Sequence, residues 1–179
     1  DAAETLRLLG DLFIRRDYWV QNAGGRRNFS ELVTSLPNAA GQHQVLLALT
    51  DVCPSEGHFW NHVGRHHIYE MKQDFPAAED YLQTAIELQP DEQVHHHSLG
   101  MVRRFWIRSL LADALRADPL PTPDEAFASV ESLIYGAYYE FGETRRLRPE
   151  DDHGYITQTQ LILEVAEVLV RLHPEGSFL

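Results

Sequence analysis

The fold is decided by one stretch of the sequence, Phe59-Trp60-Asn61-His62-Val63-Gly64. Its ending, an aliphatic residue followed by glycine, returns 36 residues later as Leu99-Gly100. In both places the pair lies early in a long segment with helical spacing of apolar residues. Glycine weakens a helix by about 1 kcal/mol, so a close approach of a second helix is the physical benefit that explains it.

A second recurring phrase marks where helices end. Leu88-Gln89-Pro90 returns as Leu147-Arg148-Pro149, with weaker copies at Val52-Cys53-Pro54 and Leu172-His173-Pro174. Proline cannot continue a helix interior, and it also disfavours the helical conformation of the residue before it. The glycine lies in the first helix of each pair, and the proline follows the second. This order predicts a helical hairpin that is repeated along the chain. The apolar faces of such hairpins must be buried by stacking on neighbours.

Apolar residues recur at helical spacing along nearly the whole chain, and the sequence lacks β-branched alternation bounded by hairpin turns. We therefore predict an all-α protein, a solenoid of helical hairpins. The predicted helices cover residues 5–20, 39–52, 58–72, 76–88, 94–117, 124–147 and 155–172, and a short apolar piece covers 29–36. We divide the chain into a helical region (1–56), a repeat (57–92), a divergent repeat with a proline loop (93–152) and a last helix that starts a further repeat (153–179).

The quoted stretch resembles one tetratricopeptide (TPR) repeat. It carries the opening Trp60, the Val63-Gly64 pair, a small Ala78 on the second helix and the closing Pro90. The second repeat departs from this pattern, because His96 stands where the first has its tryptophan. The resemblance implies a TPR-like α-α superhelix in which Trp60 is largely buried.

The particular residues of these repeats resemble one group of TPR-containing proteins more than others. The run from Gly57 to His67, followed by the run from His95 to Arg104, is similar to the TPR-containing segment of STAND-type signal-transducing P-loop NTPases. That group includes bacterial defence proteins and animal antiviral factors with a sterile alpha motif. The resemblance implies a protein–protein interaction scaffold or regulatory module in defence or innate immune signalling. Any NTPase activity would then belong to domains outside this chain. Because the chain starts at Asp1 and not at methionine, we expect it to be a piece of a longer protein.

Aligning the two repeats on their glycines pairs Asn61 with His97 and Arg65 with Met101, and brings Arg104 to the same side. In TPR proteins the first helix of each pair lines a concave groove, so the resemblance implies that these five residues form a protein-binding groove. The two arginines, expected to be partly exposed, would hold a carboxylate, and the methionine would adapt to an apolar side chain. The expected partner is a protein segment or another domain of the parent chain.

The chain contains ten histidines. His58, His62 and His66 share one helical face at i, i+4 and i+8, and His97 lies near the start of the matched helix. Such spacing can bind zinc, but the glutamate of the H-E-x-x-H motif is missing. We expect no metal, no cofactor and no catalytic residue in this chain. A His-rich metal-binding protein or enzyme remains the first alternative.

RNA binding is the second alternative, on the arginine clusters Arg103-Arg104-Arg108 and Arg145-Arg146-Arg148. The formal net charge of −12 argues against it, because phosphate attraction dominates nucleic-acid affinity. The lone Cys53 excludes a disulfide framework, and we expect it to act as a small buried hydrophobic residue. A single cysteine fits a reducing cytosol, so we expect a cytoplasmic protein. No apolar run reaches the roughly 20 residues of a membrane helix.

Overall fold

The computed structural model describes residues 38–69 and 73–173, without the Tyr69 side chain, together with Glu4 and Leu8. Within these residues the protein is all-helical, with six helices and no strand, which confirms the predicted class. The helices are α1 (Ala39–Val52), α2 (Gly57–Tyr69), α3 (Phe75–Leu88), α4 (Gln93–Ala114), α5 (Pro123–Leu147) and α6 (His153–Leu172). Apart from Leu8, the helix predicted at 5–20 lies outside the described residues, as does the apolar piece at 29–36. None of these six helices is both long enough and apolar enough to cross a membrane.

Three of the helices begin at a side-chain cap. The side chains of Asn38, Asp74 and Thr122 each accept a hydrogen bond from the backbone N–H three residues on, which satisfies a donor that the helix itself leaves unpaired. Asp74 is followed by Pro76 in the first turn of α3, where a missing N–H is harmless. Thr122 forms a full capping box with Glu125.

The repeated proline phrase ends three helices in the same way. Cys53, Gln89 and Arg148 each stand before a proline, with φ between −141° and −131° and ψ between 61° and 81°. Each donates its backbone N–H to the carbonyl four residues back, and the helix stops there. His173, in the fourth copy, has φ −68° and ψ 135° and donates to the carbonyl of Val170 instead. The sequence phrase therefore acts as a helix terminator because of the steric demand of the proline.

The chain separates into two compact units, residues 1–90 and residues 91–179. In unit 1, α2 packs against both α1 and α3. Its core is formed by Leu46 and Leu49 from α1 with Phe59 and Val63 from α2. Cys53 is partly buried against this core, in line with its expected role as a small hydrophobic residue.

In unit 2, α5 packs along α4, and α6 lies against α5 with further contacts to α4. The core is aliphatic apart from one phenylalanine. Its buried members are Ile107, Leu111, Ala126, Val130, Ala137, Phe141, Leu161, Val165 and Leu172.

The two glycines of the repeat lie where helices meet, as predicted. A Cβ on Gly64 would be 2.7 Å from Cγ of Leu82 and 2.9 Å from the carbonyl oxygen of Ala78, both on α3. A Cβ on Gly100 would be 2.5 Å from Cε1 of Phe141 on α5. Each glycine is the eighth residue of its helix, so α2–α3 and α4–α5 are two hairpins that repeat the same kind of contact.

Trp60 lies at the edge of the core of unit 1. Its side chain is more than half buried, in agreement with the expectation of a largely buried residue. The indole Nε1 donates to the carbonyl oxygen of Pro54 at 2.9 Å, and the ring stacks on Tyr81 at 6.0 Å. An indole that must reach a polar partner in a turn stays at the edge of the core, since its N–H needs that hydrogen bond.

Candidate functional site

The residues predicted for the groove are divided between the units. In unit 1, Asn61 is 2% exposed and Arg65 is exposed. In unit 2, His97 is half-buried with its ring 6.0 Å from that of Phe141, and Met101 packs against the core. The proposal that these residues form one protein-binding surface stays a prediction, with Arg65 as its exposed member.

Arg104, the fifth groove residue, is 7% exposed, so the expectation of partial exposure is wrong for it. Its Nε and Nη2 donate to the two carboxylate oxygens of Glu164 at 3.0 and 2.5 Å, and Nη1 donates to Oε1 of Gln160 at 2.8 Å. This bidentate pair joins α4 to α6. The alignment of the two repeats could not reveal this pair, because Glu164 lies on α6, outside both repeats.

Most arginines of the two clusters are engaged inside unit 2. Arg103 donates to Oε1 of the buried Glu140 at 3.2 Å, and Oε2 of that carboxylate lies 2.7 Å from Nδ1 of His96. Arg145 donates to the side chain of Gln158, and Arg146 pairs with its neighbour Glu143 on α5. With Arg104 bound to Glu164, four of the six arginines have intramolecular acceptors, which leaves less free positive charge for RNA.

The weak metal candidates of the sequence are not part of a group of close potential ligands among the described residues. His58 is exposed, His62 is half-buried, and the buried His66 has its Nε2 3.0 Å from the carbonyl oxygen of Ala39. His97 belongs to the other unit. The described part of the chain contains one group of three potential ligands whose atoms lie within 4.8 Å of one another. None of these four histidines belongs to it.

That group is Asp151, Asp152 and His153, at the start of α6. Oδ1 of Asp151 accepts from the backbone N–H of His153 at 3.0 Å and lies 2.5 Å from its ring Nδ1. These hydrogen bonds lower the pKa of Asp151 and raise the pKa of His153. Asp151 thus fixes the turn before α6 by a hydrogen bond two residues on, and the N-cap Asp152 makes no side-chain cap hydrogen bond.

A different set of histidines does come together, in unit 1. The histidine cluster, as we call it, consists of His43 on α1 with His66 and His67 on α2. The ring of His43 stacks on that of His66 at 5.6 Å and meets that of His67 edge-on at 4.9 Å. The ring of His67 also stacks on that of Tyr81 of α3 at 5.3 Å. Through this contact with Tyr81, the cluster connects α1, α2 and α3.

Sequence reasoning missed this cluster. It grouped histidines by the i, i+4 spacing of one helix, whereas His43 and His67 meet only because α1 packs on α2. The adjacent pair His66-His67 is visible in the sequence, but nothing there identifies a partner 23 residues earlier.

Unit 2 also exposes large apolar and aromatic side chains. On α5, Tyr135, Tyr138 and Tyr139 are 64%, 49% and 62% exposed at positions i, i+3 and i+4, which are neighbours on a helix surface. On α6, the exposed residues at heptad spacing form what we call the α6 outer face. Its members are Ile156, Thr159, Leu163, Ala166 and Val170. The side of α6 that faces the core carries Leu161 and Val165, so this helix is apolar on two sides.

Comparisons with known proteins give no closer guide to the site. No protein-family model matches the chain, and no curated protein is significantly similar to it.

Proposed function

We propose that this chain is a protein–protein interaction module built from TPR-like helical hairpins. The observation that carries the proposal is the α6 outer face. Ile156, Leu163 and Val170 are 49%, 63% and 41% exposed, on the side of α6 opposite the core residues Leu161 and Val165. A helix that is apolar on opposite sides is typical of one that is covered on both, and contiguous exposed apolar surface marks sites of protein binding.

The spacing of this face indicates the kind of partner. Its three aliphatic residues are seven apart, with the small Thr159 and Ala166 between them. This is the heptad spacing with which one helix packs on another, and small residues let the two backbones approach. The partner would therefore present an amphipathic helix, either from another protein or from another domain of the parent chain.

The TPR and STAND parts of the proposal are supported by the resemblance of the sequence and by the two hairpins. In a TPR-like array each hairpin leaves an apolar face for its neighbour, and α6 as the first helix of a further repeat would have such a face. On this proposal the chain acts as a scaffold or regulatory arm of a larger STAND-type NTPase in defence signalling.

The test is a charge placed on the α6 outer face. We expect Leu163→Glu to abolish binding of partner proteins in a quantitative pull-down, since a carboxylate cannot be buried unpaired in an apolar contact. Leu120→Glu is the matched control, because Leu120 is 59% exposed and lies in the loop between α4 and α5. Thermal melts should be similar for both variants. If both variants retain the same proteins as the unchanged chain, the α6 outer face is not the binding surface.

Two additional measurements decide what occupies the surface. Light scattering of the purified chain shows whether a second copy of the chain binds the α6 outer face. If it does, the chain should be a dimer that dissociates in Leu163→Glu and stays intact in Leu120→Glu. Arg65→Glu tests the groove, because Arg65 is the predicted groove residue that is exposed. Binding lost in Arg65→Glu and retained in Leu163→Glu would move the working surface to the groove.

A further inference from the structure

We propose that the histidine cluster is a proton-operated latch that holds α1 on α2 when the imidazoles of His43 and His67 are neutral and releases α1 when they take up protons. The proposal concerns unit 1 alone and does not depend on which surface binds a partner. Its basis is the contact geometry of His43, His66 and His67, which places three titratable rings from two helices within direct contact distance.

The position of His67 is unusual for an imidazole. It is 9% exposed, and neither ring nitrogen has a hydrogen-bond partner among the described residues. Nδ1 of His43 is also buried without a described partner. Buried polar atoms of this kind are rare in folded proteins, and an unpaired one needs an explanation. A neutral ring tolerates such a site far better than a charged one.

Protonation is opposed by the neighbouring rings as well as by burial. Burial lowers the pKa of His43, and the nearby His67 and His66 lower it further. Burial also lowers the pKa of His67, and His66 adds to the effect. The carboxylate of Asp74 at the start of α3 acts in the opposite direction and raises the pKa of His67, without outweighing burial. Tyr81 on α3 offers His67 only a neutral ring face.

The remaining member of the cluster fixes α1 to α2 directly. Nε2 of His66 lies 3.0 Å from the carbonyl oxygen of Ala39, the first residue of α1. If Nε2 carries the proton and donates it there, the lone pair of the ring is on Nδ1. A proton added to His43 then puts positive charge next to the rings of His66 and His67. When His43 and His67 both carry protons, their charges repel each other across the contact between α1 and α2.

The direction of the pH effect follows from these shifts. Well above pH 6.5, the ordinary pKa of histidine, His43 and His67 are almost entirely neutral in both the closed and the open state, and their contribution to stability does not change with pH. As the pH falls below 6.5, the open state binds protons first, so the closed state loses stability until its own lower pKa values are passed. Each unit by which one pKa is lowered makes opening about tenfold more favourable below that pKa.

Hydrogen exchange of the α1 amides measures the opening. After correction for the intrinsic pH dependence of exchange, we expect the opening equilibrium of α1 to be about tenfold or more larger at pH 5 than at pH 7.5. Amides of α5 in unit 2 should change much less. The variant His43→Gln/His67→Gln should lose most of this pH dependence. The control His58→Gln should keep it, since His58 lies on α2 like His67 but is exposed. A double variant that keeps the full pH dependence would overturn the latch.

A second measurement needs no variant. Imidazole signals in NMR spectra of the unchanged chain give the midpoints of His43 and His67 directly. We expect both midpoints below 6.5, with a broadening or shift of α1 signals over the same range. Midpoints at or above 6.5 for both residues would refute the proposal even if the double variant does not fold. The single His43→Gln, which removes the central ring, should reduce the pH dependence of α1 opening by about half.

Discussion

Adding one methyl group at Gly64 should loosen the α2–α3 hairpin, although alanine is the better helix former. The helix-propensity gain is about 1 kcal/mol. Against it stands a Cβ at 2.9 Å from the carbonyl oxygen of Ala78, where ordinary contacts begin at 3.4 Å. Because that oxygen is backbone, the strain is relieved only if the two helices separate by about half an ångström.

Such a separation affects the whole contact between the helices. A gap of that size forfeits about a quarter of the dispersion energy of each contact across it. Forcing an extra methyl group into a packed core costs roughly 1–3 kcal/mol, and we take the upper half of this range because backbone must move. Subtracting the propensity gain leaves a loss of about 1–2 kcal/mol for Gly64→Ala. The opening equilibrium of unit 1 should therefore rise by about 5- to 30-fold.

Gly142→Ala is the matched control. The nearest atom to a Cβ there is Nη2 of Arg145 at 3.8 Å, so nothing opposes the helix-propensity gain. Both variants are measured by hydrogen exchange at pH 7.5. In Gly64→Ala, the amides of α3 should show that unit 1 is destabilised. In Gly142→Ala, the amides of α5 should show that unit 2 is stabilised by up to about 1 kcal/mol. If Gly64→Ala stabilises its unit as Gly142→Ala does, the glycine is not needed for close packing, and the hairpin argument fails.

Two further substitutions test single features of the fold. Gln73 has φ 53°, a left-handed conformation that favours glycine, so Gln73→Gly should stabilise unit 1 by roughly 0.5–1 kcal/mol; an unchanged or lower denaturation midpoint would contradict this. Arg104→Met should destabilise unit 2 by about 2–3 kcal/mol, because it leaves the partly buried Glu164 without its bidentate partner. Arg146→Met, which removes a solvent-exposed pair, should leave the melting temperature unchanged, and equal effects of the two variants would show that burial of Arg104 is unimportant.

The sequence by itself determined the local structure of this protein. Apolar spacing predicted helices that match α1 to α6 to within a few residues, since it depends on one helix at a time. The prolines at 54, 90 and 149 predicted helix ends because their steric effect reaches only the preceding residue. Gly64 and Gly100 predicted close helix contacts, because a missing side chain is visible without knowledge of the partner.

Only the tertiary structure decided which residues from different helices meet. Arg104 was expected at a surface, and Glu164 from α6 pairs with it. His43 and His67 showed no relation in the sequence, and the packing of α1 on α2 brings their rings to 4.9 Å. The physical reason is the same in both cases. Periodicity fixes which side of a helix is apolar, but the burial of a charge or a titratable ring depends on what another helix places opposite it.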